Sequence, residues 1–228
     1  MTAPFPIMLF AAGLGTRMAP LTDRMPKPLI PVAGRTLLDH ALALTDLPGI
    51  GPRVVNVHYR ADMIRAHLTG RDVILSPEDP LLETGGGLRH ALPLLGDGPV
   101  MTLNTDAIWR GPNPLAQLAT AWAPEMEALL LLVPQNRVQG YSGAGDFVPD
   151  AAGRLTRGPG LIYTGAQILR TSTLQDVAAD AFSLNLVWDA MIARGGLFGL
   201  VYPGRWCDVG RPASIPLAEA LLAEPDDV

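Results

Sequence analysis

The chain holds one cysteine, Cys207, so neither an internal disulfide nor a cysteine-based zinc cluster can form. No aliphatic run exceeds the one at residues 128–133, far short of the roughly 20 residues that cross a bilayer, and no membrane span is expected. The opening MTAPFPIMLF has no basic residue, so the charged start of a secretory signal is missing and a cytoplasmic protein is the default. Positive charge is not in excess either. With 17 Lys plus Arg against 22 Asp plus Glu the net charge is −5, which argues against nucleic acid as a partner. Any phosphate must be met by a local site. The histidines, His40, His58, His67 and His90, show no metal-ligand spacing. The most informative shortage is lysine: the basic residues are arginines except Lys27. A chain that uses arginine everywhere else has kept a compact ammonium at one place, which points to a specific need for it.

At 228 residues, 48% hydrophobic and 17% charged, the composition is that of an ordinary globular protein, read as a single domain over residues 1–228. A short apolar run at 7–11 ends in glycine and predicts a buried strand. Helical spacing at 36–47 and 61–68 alternates with strand-like runs at 53–59, 72–76 and 99–106, and a further helix is expected over 87–95. Four strands separated by helices predict an α/β fold: a Rossmann-like, mostly parallel sheet with helices on both faces and ligands at the strands' C-terminal ends. The second half predicts helices at 115–122, 183–196 and 214–223, strands at 127–133 and 161–169, two short extended pieces within 197–210, and a glycine-rich hairpin over 140–160. It is expected to supply a small substrate-binding lid.

The densest chemistry lies in LFAAGLGTRMAPLTDRMPKPL, residues 9–29. Gly13 and Gly15 are not followed by the GK[ST] of a P-loop, and Met18 stands where a dinucleotide fingerprint needs its third glycine. Both are excluded. A glycine turn after a first strand still presents backbone N–H groups to an anion, and Thr16 and Arg17 add a hydroxyl and a planar fork of donors. Lys27 follows between Pro26 and Pro28.

AAGLGTRMAPLT followed by PKPLIPVAGRTLLDH resembles the signature of the sugar-1-phosphate nucleotidyltransferases. The likeness continues at ETGGG (83–87), which is similar to the family's nucleoside-contacting loop, at LNTD (103–106), and at WCDVG (206–210). Together with GDF at 145–147, these motifs resemble most the branch that transfers a uridylyl group to N-acetylmuramic acid 1-phosphate in cell-wall recycling. The resemblance implies a nucleotide-diphospho-sugar transferase fold and an enzyme using Mg²⁺, an NTP (UTP by this branch) and a sugar 1-phosphate. It implies Asp106 and Asp208 as metal ligands, with Arg17 and Lys27 completing the catalytic set. It places Ala12, Gly13, Gly15, Thr16, Arg17, Lys27, Glu78, Thr84, Gly85 and Asn104 at the nucleotide, and Asp146, Gly165 and Asn185 at the sugar. Glu78, as an acceptor, would suit uracil N3–H or guanine N1–H and disfavour adenine. Two departures stand out: Thr105 replaces the usual glycine before the first aspartate, and the family's second lysine is absent. Mannose-1-phosphate guanylyl transfer, another sugar or phospho-alcohol acceptor, and a non-catalytic nucleotide-sugar-binding module are the alternatives. The oligomeric state is left open.

Overall fold

A computed structural model describes residues 5–224; the outermost residues of the expected 1–228 domain lie outside that range. In chain order the elements are β1 (Phe5–Phe10), β2 (Pro31–Val32), β3 (Arg35–Thr36), α1 (Leu37–Leu44), β4 (Ile50–Val57), α2 (Ala61–His67), β5 (Ile74–Pro77), α3 (Glu83–Leu95), β6 (Pro99–Asn104) and β7 (Ala107–Arg110). Then come α4 (Pro114–Ala121), β8 (Ala128–Val133), β9 (Val138–Gln139), β10 (Phe147–Pro149), β11 (Leu155–Arg157), β12 (Ile162–Arg170), α5 (Leu184–Ala193), β13 (Leu197–Val201), β14 (Arg205–Asp208) and α6 (Ile215–Ala223). Short 3₁₀ turns at Thr16–Met18 and Lys27–Leu29 carry Arg17 and Lys27. Among the described residues no helix is long and apolar enough to cross a membrane.

Seven strands form one sheet in the order β13-β8-β12-β6-β1-β4-β5, with only β12 antiparallel to its neighbours. The architecture is the α/β one expected, but the second half is more than a lid, because β8, β12 and β13 belong to this same sheet. Strand alternation sends successive side chains to opposite faces. Ile7 and Leu9 of β1 therefore pack with Leu38, Ile64 and Leu118 under α1, α2 and α4, while Met8 packs with Leu88 and Met191 under α3 and α5. With both faces covered, β8 can be an unbroken apolar run, ALLLLV, buried along its whole length.

Helix starts follow local chemistry. Thr36 accepts the Asp39 N–H at 3.1 Å to cap α1, and Asn113 caps α4 ahead of Pro114 at its first turn. The sequence pattern misplaced α3, which begins at Glu83 rather than near residue 87. Glycine disfavours a helix interior by propensity, yet here close packing requires it. A Cβ on Gly85 would stand 2.3 Å from the Phe182 ring, one on Gly86 2.2 Å from the Asp180 carbonyl, and one on Gly87 2.3 Å from the Glu78 carboxylate.

In a second, three-stranded sheet in the order β7-β14-β9, only β14 matches an expected extended piece, and β7 and β9 had no clear pattern in the sequence. It rests on a small core in which Met18, Ile30, Cys207 and Val209 pack with Ala218 and Leu221 of α6. That core ties the Arg17 turn, the strand after the Lys27 loop and the strand carrying Asp208 to one support.

Candidate active site

The C-terminal ends of β1, β4 and β6 open into a cleft of about 320 Å³, as expected for an open parallel sheet. One wall is the turn from Ala12 through Gly13, Gly15 and Thr16 to Arg17. A Cβ on Gly13 would meet nothing within 4 Å, so protein packing does not require glycine there. Its bareness keeps the wall open to a ligand. Gly15 is different: its φ of +63° is left-handed, and a Cβ there would lie 2.9 Å from that of Lys27. The turn and the lysine loop can approach each other only because this residue is glycine. The intervening chain is braced by the Tyr59 hydroxyl donating to the Thr22 carbonyl at 2.8 Å, and by the Arg60 guanidinium donating to that of Asp23 at 2.5 Å.

Lys27 donates to the Asp106 carboxylate at 2.7 Å, with only 12% of its side chain exposed. Asp106 lies two residues after the end of β6, and Asp208 ends β14, whose antiparallel register with β7 pairs Asp208 with Ala107. The Val209 N–H donates to the Asp106 carbonyl at 2.9 Å. Residues a hundred positions apart thus become neighbours through the small sheet. Burial first, and then the Asp106 charge, push the Asp208 carboxyl up to about 6, against the opposing pull of Lys27, Arg17 and Arg211. Gly210 gives this carboxylate room, since a Cβ there would lie 2.8 Å from it. Arg17 and Asp208 also line an adjoining cleft of about 330 Å³ with Tyr141 and Arg211.

Two half-buried carboxylates that repel each other are a donor set suited to a hard divalent cation. Among the described residues no group of three or more Asp, Glu, His or Cys could enclose a metal by itself. The pair therefore fits an ion that takes its remaining ligands from phosphate oxygens and water.

Three residues expected at the ligands sit elsewhere. Glu78 is buried and lines neither cleft wall; its carboxylate accepts the Asn56 amide at 2.7 Å and the Leu82 N–H at 2.9 Å. Asn56 in turn accepts the Ala11 N–H at 2.7 Å, so Glu78 braces the end of β1. Glu78→Ala is expected to cost about 1.5–3 kcal/mol in chemical denaturation, as for a hydrogen bond to a charged group, and to leave the preference among NTPs unchanged. A changed UTP-to-GTP ratio would restore it as a base reader. Gly85 is buried under Phe182 and gives its N–H to the Phe182 carbonyl at 2.8 Å. Gly165, at φ +86°, makes room for Asn104, which a Cβ would approach to 2.7 Å. The Thr105 side chain, in place of glycine, donates to the Phe10 carbonyl at 2.7 Å and so points into the sheet.

Asn104, Thr84 and Phe10 also border a second cleft of about 270 Å³, which contains Asp146 and Asn185. Asp146 accepts the Tyr163 N–H at 2.8 Å, and the Asn185 amide donates to the Ser183 hydroxyl at 3.0 Å. Tyr163 and Trp188 form its aromatic wall, their rings edge-on at 4.9 Å. Sequence reasoning missed Asn56, Arg157, Tyr163 and Arg211, since none lies in a recognisable motif; Glu83, the first residue of the ETGGG stretch, has φ +60° and lines the first cleft.

Comparison with known proteins supplies the family. Residues 7–195 match the MobA-like NTP transferase domain. The chain belongs to this family. It is 40% identical to the N-acetylmuramate alpha-1-phosphate uridylyltransferase of Caulobacter vibrioides, over 97% of this chain and 98% of that one. A protein of the same name from Neisseria meningitidis is 31% identical over 94% of this chain and 96% of its own. A probable mannose-1-phosphate guanylyltransferase of Oryza sativa is 27% identical over 90% of this chain and 61% of its own. The crystal structure of HddC from Yersinia pseudotuberculosis shares the fold at a TM-score of 0.78 and 20% identity, covering 96% of this chain and 99% of that one. As a nucleotidyltransferase of this family, the protein carries the sequence motifs around the cleft at the C-terminal ends of β1, β4 and β6.

Proposed function

We propose that this protein transfers a uridylyl group from UTP to N-acetylmuramic acid 1-phosphate, forming a UDP-sugar and pyrophosphate in a cell-wall recycling role. The observation that carries this reading is the gathering of Arg17, Lys27, Asp106 and Asp208 at one strand edge, in a chain 40% identical over nearly its full length to a protein of that name. The acceptor's phosphate oxygen forms a bond to the α-phosphorus. The bond from that phosphorus to the oxygen bridging it to the β-phosphate breaks, and its electron pair leaves with pyrophosphate.

Each residue has a physical task in that exchange. Backbone amides at Ala12, Gly13, Gly15 and Thr16 cradle the triphosphate, and Thr84 and Asn104 hold the nucleoside side of the junction between the clefts. Arg17 binds the departing phosphates with its planar fork, and Arg211 adds charge on the same side. Lys27 offsets the charge at the reacting phosphates. Asp106 and Asp208 would hold Mg²⁺, which when bound neutralises phosphate charge and aligns the reacting oxygens. No general base is needed, because the attacking phosphate is already ionised. Asp146 and Asn185 face the sugar, with Trp188 and Tyr163 supplying apolar surface.

The test is pyrophosphate release with UTP and N-acetylmuramic acid 1-phosphate, with Mg²⁺ and then with a chelator. Release is expected with the metal and should cease without it. Turnover only with GTP and mannose 1-phosphate would overturn the substrate assignment and retain the chemistry.

A further inference from the structure

We propose that Arg157 binds the carboxylate of an acidic sugar acceptor and thereby separates N-acetylmuramic acid 1-phosphate from neutral sugar 1-phosphates; this rests on the acceptor reading above. N-acetylmuramic acid is N-acetylglucosamine bearing a lactic acid ether, so its carboxylate is the group that distinguishes it from the neutral amino sugar. Arg157 is the one basic side chain on the wall of the second cleft among the described residues.

Its setting is rigid on one side and open on the other. Arg157 ends the second strand of the β10–β11 hairpin, and its guanidinium carbon lies 4.7 Å from the centre of the Phe147 ring and 5.6 Å from that of Trp188. Trp188 is itself fixed, donating to Gln167 at 2.9 Å, and Gln167 donates to the Thr102 hydroxyl at 3.0 Å. The Arg157 Nε donates to Asp189 at 2.9 Å, and Nη2 lies 2.9 Å from the same carboxylate and donates to the Asn185 carbonyl at 3.3 Å. Its Nη1 donors have no partner among the described residues. Asp189 is 57% exposed, so it steadies the guanidinium while water screens most of its charge. A stacked guanidinium with an unpartnered Nη1 suits a charge-assisted hydrogen bond to a carboxylate. The other ionised side chain in this cleft, Asp146, repels an anion and favours hydroxyl donors, which leaves the acidic substituent to Arg157.

A merely structural Arg157 would pin the hairpin to α5 and be indifferent to acceptor charge. The experiment is steady-state kinetics with UTP and three acceptors: N-acetylmuramic acid 1-phosphate, its lactyl amide, and N-acetylglucosamine 1-phosphate. Amidation is expected to lower the wild-type kcat/KM roughly tenfold, because the Arg157 side chain is 38% exposed and water screens part of the attraction. Arg157→Met should lose the same factor on the acidic sugar, chiefly in KM, and nothing further on the amide or the neutral sugar. Arg157→Lys, which keeps the charge and the stem, should recover part of the preference. Equal losses on all three acceptors, beside a wild type that prefers the acid, would overturn the role of Arg157 and leave the acceptor reading standing. A wild type that rejects the acidic sugar or treats the three alike would overturn both.

Discussion

Asp208→Asn is expected to lower turnover on the order of 10³-fold while raising the melting temperature at neutral pH in the absence of divalent cations. The two effects share one cause. Burial and the nearby Asp106 push the Asp208 carboxyl up to about 6 in the folded protein, above the ordinary carboxylate range reached on unfolding. The folded state therefore binds this proton more readily than the unfolded state. Its advantage is full below the ordinary range and is lost as pH rises through about 6. At pH 7.5 the ionised Asp208 opposes folding, and the isosteric amide removes both the cost of burying that charge and its repulsion with Asp106. The melting-temperature gap between variant and wild type should close as pH falls toward the ordinary carboxylate range. Mg²⁺ should raise the wild-type melting temperature and leave that of the variant unchanged. A variant with retained metal-dependent turnover, or one less stable than wild type at pH 7.5, would contradict the assignment.

Lys27→Ala should reduce the rate on the order of 10²- to 10³-fold. Its ammonium reaches Asp106 at 2.7 Å from a largely buried position, and it is among the charges that hold the Asp208 carboxyl down. Removing it lets that carboxyl titrate higher still, so the acidic limb of the pH–rate profile should move upward. Lys27→Arg should recover little, because the stem of this side chain packs against the Gly15 turn, where a Cβ would lie 2.9 Å from Lys27 Cβ, and a guanidinium is wider and planar. A loss below tenfold with an unshifted profile would make the contact an ordinary ion pair.

The parts of the fold legible in the sequence were those set by local pattern. The apolar runs of β1, β4, β6 and β8 and the spacing in α1, α2 and α5 survive in the structure within a few residues. Arg17 and Lys27 were visible because ten residues and a proline-rich loop separate them, and Asp106 and Asp208 because each sits in a compact motif. What the sequence concealed depends on contacts between distant segments. Glu78 is chemically suited to reading a base, and only its bonds to Asn56 and Leu82 show that it braces β1 instead. Gly85 and Gly165 had the composition of ligand loops, yet the space they leave is filled by Phe182 and Asn104. The β7-β14-β9 sheet, which joins the two aspartates, is built from strands too short to show a period. Arg157 lay in a glycine-rich stretch whose hairpin pairing alone sets it over Phe147 and Trp188.

The most direct measurement is a single competition. The enzyme, Mg²⁺ and equal amounts of UTP, GTP, CTP, dTTP and ATP are mixed with N-acetylmuramic, N-acetylglucosamine, glucose and mannose 1-phosphates, and the nucleotide sugars formed are identified by mass spectrometry. The account predicts that UDP-N-acetylmuramic acid dominates the products and that Asp208→Asn forms almost none. A different dominant nucleotide sugar, or no nucleotide sugar from any pair, would contradict it.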